Sequence, residues 1–79
     1  MPDLPAQRVL QALLSLGFRV VLDDGLFLTY LRTDTDRGVC VITLDVRFPE
    51  IAQGPLVAEL DYYGISLAEF WNAYDSTES

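Results

Sequence analysis

The sequence predicts a small α+β domain of order α-β-β-β-α(α), a three-stranded antiparallel sheet packed against helices. Three observations carry this prediction. Apolar residues near the start recur at helical spacing. Apolar and polar residues then alternate with period two across three stretches separated by turn residues. Two glycine-punctuated helical stretches close the chain. Its 79 residues suffice for one domain, 1–79. A chain of this size buries only about 60–65% of the surface its unfolded form exposes. A hydrophobic share of 51% offsets that thin core and argues against disorder, despite a net charge of −7.

Ala6, Val9, Leu10, Leu13 and Leu14 fall on one side of a helix over about Pro5–Leu16, with Arg8, Gln11 and Ser15 opposite. Gly17 suits the left-handed position after its last turn. Phe18 to Leu22 alternates, placing Phe18, Val20 and Leu22 on one face. Asp23-Asp24-Gly25 is a turn, and Leu26–Arg32 a second strand rich in Leu, Phe, Thr and Tyr. A polar hairpin loop, Thr33–Gly38, leads to a long third strand, Val39–Phe48. There Cys40, Ile42, Leu44, Val46 and Phe48 share a face, and Pro49 ends the strand.

Gly54-Pro55 opens a helix to about Tyr63, closed by Gly64. Ser66 starts another, to about Tyr74, as the N-cap of a capping box with Glu69. Ile65 and Phe70 are spaced for the hydrophobic staple beside it, and the tail from Asp75 to Ser79 is expected to fray.

Two stretches resemble the HicA (YcfA-like) family of small mRNA-cleaving toxins with a double-stranded-RNA-binding-like fold. They are Val9-Leu10-Gln11-Ala12-Leu13-Leu14-Ser15-Leu16-Gly17-Phe18, followed by strands around Gly25, and Gly54-Pro55-Leu56 through Tyr63-Gly64-Ile65-Ser66-Leu67-Ala68-Glu69-Phe70. The resemblance covers most of the chain and implies the fold. It does not carry over the activity. Where the family has Gly-Ser-His this chain reads Gly25-Leu26-Phe27, it has no histidine, and it is acidic where the family is basic. Fold alone does not license function.

Other constellations give little chemistry. Histidine, the side chain that titrates near neutrality unperturbed, is absent. Asp23 and Asp24, adjacent before Gly25, are better turn residues than a paired-carboxylate site. Asp34-Thr35-Asp36-Arg37-Gly38 begins like a calcium loop, but its glycine is fifth rather than sixth and Arg37 adds positive charge. Cys40 shares a face with Ile42 and Leu44 and has no nearby base to activate it. No catalytic residue, cofactor or metal is expected.

Charge distribution is the most unusual feature. Residues 1–47 carry six acids and five arginines. Residues 48–79 carry Glu50, Glu59, Asp61, Glu69, Asp75 and Glu78 with no base. Such a surface repels phosphate, so direct nucleic-acid binding is not expected, and it attracts a basic protein. Glu59, Asp61, Tyr63, Glu69, Trp71 and Asp75 are the candidate partner-binding residues, mixing negative charge with rings that favour interfaces. Tyr62, Phe70 and Tyr74 are also what a thin core needs, and net charge also serves solubility.

The expected function is a non-catalytic inhibitor that occupies a basic nucleic-acid-binding surface on its partner; in size and charge alone the chain is similar to phage-encoded inhibitors of bacterial defence such as anti-CRISPR proteins. The alternative is a HicA-like toxin–antitoxin component. No apolar run is long enough to span a bilayer, and no secretory leader is expected from Met1-Pro2-Asp3-Leu4-Pro5. A single cysteine, unable to form an internal disulfide, fits a reducing bacterial or host cytoplasm.

Overall fold

The computed structural model describes residues 3–77. In chain order the elements are β1 (Leu4–Pro5), α1 (Ala6–Ser15), β2 (Arg19–Asp23), β3 (Phe27–Thr35), β4 (Gly38–Asp45), β5 (Glu50–Ile51), α2 (Gln53–Tyr62) and α3 (Leu67–Ser76). The fold is α+β, with β2, β3 and β4 forming one antiparallel sheet in that order. The short strands β1 and β5 pair separately, Leu4 with Ile51 and Pro5 with Glu50. Two-residue strands have no periodicity to read, and the sequence gives no sign of this pair.

Both helix ends that the glycines mark close in the same way. Gly17, at φ 91°, lets its own N–H reach the Leu14 carbonyl and the Phe18 N–H reach the Leu13 carbonyl. Gly64, at φ 80°, repeats this with Gly64 to Asp61 and Ile65 to Leu60. These reciprocal bonds satisfy carbonyls the helix leaves open, and the left-handed residue between them favours glycine. Ser66 Oγ accepts from the N–H groups of Ala68 and Glu69 at the start of α3. Ile65 and Phe70 are both buried in the core.

The core lies between the helices and one face of the sheet. Val9, Ala12 and Leu13 of α1 join Tyr30, Cys40, Ile42 and Leu44 of the sheet, Leu56 and Leu60 of α2, and Phe70 and Tyr74 of α3. Arg8, expected on the solvent side of α1, reaches the end of α3. It donates to the Tyr74 carbonyl at 3.1 Å and to Thr77 Oγ1 at 3.0 Å, and lies 3.9 Å from the centre of the Tyr74 ring. A cation at a helix C-terminus meets the negative end of the dipole.

Several expectations require correction. Leu14 and Val20, read as core, are both 44% exposed. In β2 the pairing passes from Val20↔Tyr30 to Leu22↔Thr29, a bulge that turns Leu22 to the opposite face from Phe18. The β3–β4 loop shrinks to Asp36-Arg37, because the β-branched Thr33 and Thr35 continue the strand. β4 ends at Asp45 rather than Phe48. The Asp45 carboxylate folds back to accept from the Arg47 N–H, Nε and Nη2, which ends the extended run before Pro49 and leaves Phe48 exposed. Tyr62, expected in the core, is also exposed. At the other end α3 continues to Ser76, past the end expected near Tyr74, and Thr77 Oγ1 accepts from Arg8 Nε; residues 78–79 lie outside the described residues.

Candidate partner-binding surfaces

The six residues singled out from sequence stand on α2, α3 and the corner between them, and the structure distributes them rather than gathering them. Glu59 projects from α2 beside Leu56 into a groove of about 280 Å³ that also touches β4 and β5. Asp61 lies two positions on, about 200° around the helix, and is exposed. Tyr63 ends α2 half-buried, edge-on to Tyr62 with ring centres 5.1 Å apart. Glu69 on α3 lines a different depression, together with Leu16 and Arg32. Trp71 is half-buried and packs edge-on to Phe70 at 5.0 Å and Tyr74 at 5.5 Å. Asp75 is exposed one turn beyond Trp71.

Electrostatics separate these groups more sharply than position does. Four of the five arginines are engaged away from the acids of α2 and α3. Arg8 grips the end of α3, Arg32 bonds to Asp34 Oδ1 at 2.7 Å and to the Leu16 carbonyl at 2.9 Å, and Arg47 pairs with Asp45. Arg37 donates to the Tyr62 carbonyl at 2.7 Å with its guanidinium carbon 4.5 Å from that ring's centre. Glu50, Glu59, Asp61, Glu69 and Asp75 are exposed and form no ion pair among the described residues.

Asp34 and Asp45, by contrast, are held below the usual carboxylate range by hydrogen bonds from Arg32 and Arg47. Asp24 is lowered by the backbone N–H groups of Phe27 and Leu26, which makes Asp23-Asp24 a turn whose carboxylates are already spent on Gly25, Leu26 and Phe27.

Burial pushes the Cys40 thiol up to about 11, and the nearby Glu59 charge adds to that, so near neutrality it is a protonated core residue. No three potential metal ligands come together among the described residues. No described helix is long and apolar enough to cross a membrane. No family model matches the chain, and no similar curated protein or solved structure is found.

Sequence reasoning missed the part that β4 and β5 contribute to the Glu59 groove. Phe48 and Glu50 stand on its rim, yet neither was read as a site residue. The available signal was the stretch Val39–Leu44, which contains neither proline nor lysine. In an edge strand those residues commonly block further pairing.

Proposed function

We propose that this chain is a non-catalytic binding domain whose exposed carboxylates engage a basic protein and that covers a nucleic-acid-binding surface on it. The observation that supports the reading is the separation of charge. Glu50, Glu59, Asp61, Glu69 and Asp75 are exposed and form no ion pair among the described residues, while most of the arginines are tied to the hairpin and to backbone carbonyls. Fixed, uncompensated carboxylates speed encounter with a basic surface and disfavour phosphate. A phage-encoded inhibitor of a bacterial defence complex, acting in the host cytoplasm, has these requirements.

A second reading, resting on the resemblance of the sequence to the HicA family, is a toxin–antitoxin component that lacks the family's histidine. A neighbouring HicB-like gene would select that reading, and neighbouring phage genes the first.

The test is capture of the partner from the native host, followed by competition with nucleic acid. Glu59→Arg with Asp61→Arg is expected to slow association at least about tenfold at low salt, with the difference shrinking as exposed charges are screened over about 8–10 Å. Undisturbed simultaneous binding of partner and nucleic acid, with affinity unchanged by charge reversal, overturns the reading.

A further inference from the structure

The sheet has an open edge, and the Glu59 groove runs along it. β4 pairs with β3 on one side and, among the described residues, with no strand on the other. The direction of its backbone groups follows from one bond. The Val46 N–H donates to the Leu26 carbonyl at 3.0 Å, which makes these two a hydrogen-bonded pair in the register that continues through Leu44↔Leu28 and Ile42↔Tyr30. In an antiparallel ladder such pairs alternate with pairs whose N–H and C=O groups point outward. Val41 and Thr43 are therefore among the outward positions, and their backbone groups have no partner among the described residues. The contact between Thr29 Oγ1 and Thr43 Oγ1 at 3.3 Å fits the closer approach of side chains in such a pair.

The groove touches Ile42 and Leu44, whose side chains face the core, as well as Thr43 on the opposite face. Residues from both faces of one strand meet a single concavity only along that strand's edge. β3 contributes nothing to it, whereas Ile51 of β5 and Leu56 and Glu59 of α2 do. A strand edge beside a helix, with an apolar lining, is the arrangement that takes up an extended peptide as an added strand.

We propose that an extended segment of a basic partner adds to β4 in this groove, antiparallel or parallel, with main-chain bonds to Val41 and Thr43. Apolar side chains of the segment would face Ile51 and Leu56, and flanking arginine or lysine side chains would reach Glu50 and Glu59. This rests on the acidic-binding reading and names the element of the partner that is bound. Charge selects the occupant. Glu50 and Glu59 are uncompensated at the rim, so a basic segment gains attraction, whereas β4 of a second copy would bring the same two acids along with it. Asp45 adds little to the selection, because Arg47 already neutralises it.

The probe is an acetylated and amidated peptide, Arg-Thr-Val-Thr-Val-Thr-Arg, titrated into isotope-labelled protein at low salt. The expected result is saturable binding with hydrogen exchange of the Val41 and Thr43 amides slowed at least about tenfold, while the same peptide with Glu in place of Arg does not bind. Thr43→Pro removes an outward N–H and no ladder bond, so it is expected to abolish binding, whereas Thr43→Val retains it. Should Thr43→Pro not fold, the peptide methylated on the backbone nitrogens that face β4 tests the same bonds on the unaltered protein and is expected not to bind. The proposal is overturned by unprotected Val41 and Thr43 amides at saturation, by equal binding of the Glu peptide, or by concentration-dependent pairing of β4 with a second copy. If the captured partner competes with nucleic acid while β4 remains unprotected in that complex, the broader function stands and this inference is wrong. If the peptide adds to β4 but no captured partner competes with nucleic acid, the inference stands and the inhibitory reading is wrong.

Discussion

Arg37, at the tip of the β3–β4 hairpin, clasps Tyr62 at the end of α2, donating to its carbonyl at 2.7 Å while its guanidinium stands over the ring. Beside this contact Asp36 occupies the space a side chain on Gly64 would need, its Cγ 2.7 Å and its Cβ 2.9 Å from that position. The hairpin and the α2–α3 corner are thus joined through a residue that must lack a side chain. This contact also explains why Tyr62 lies outside the core: its ring serves the hairpin.

Gly64→Ala is expected to destabilise the domain by about 1–3 kcal/mol from the left-handed backbone alone, and by more because Asp36 must be displaced. Arg37→Ala should cost about 1 kcal/mol, the range of an exposed cation–π contact with its hydrogen bond. Urea denaturation of both variants and their combination is the check. Because they act on one contact, the double variant should lose less than the sum.

Leu13 and Leu14 are adjacent and alike in chemistry but differ in depth. Leu13 is fully buried and Leu14 is 44% exposed. Leu13→Ala should cost about 2–5 kcal/mol, which approaches the whole stability of a small domain. Leu14→Ala should cost about 1 kcal/mol or less. Comparable losses at the two positions would contradict the observed facing of α1.

Cys40 should be invisible to thiol reagents in the folded protein at neutral pH and react at once after unfolding, since it is buried and its thiol is held protonated. Its acidity also sets an alkaline limit. The folded state keeps the proton up to about 11, whereas the unfolded thiol releases it near its ordinary value of 9.0. Between those values the unfolded state binds fewer protons, so stability falls as pH rises. Cys40→Ala should remove this part of the alkaline slope measured by denaturation across that range. Tyr30, raised by burial and then by Asp23, leaves a residual slope that begins higher, above its ordinary 10.0.

The α+β class, the order of helices and central strands, both glycine-closed helix ends and the Ser66 cap were legible because each depends on neighbours within a few residues. Helical spacing picks out Val9 and Leu13, a left-handed terminus favours Gly17 and Gly64, and a serine hydroxyl satisfies the amides that follow it. The acidic bias of the second half was equally visible as a count of charges.

What the tertiary structure alone decided depends on which distant segments meet. The bulge after Val20 reverses the facing of Leu22, because pairing with β3, and not alternation within β2, sets the register. β1 and β5 exist only as each other's partners. Glu59 and Glu69, ten positions apart and equivalent by composition, are separated because α2 turns one toward the open edge of β4 while α3 turns the other toward Arg32. Local chemistry chose the elements of this chain, and long-range packing chose which carboxylates stand beside the open edge of β4.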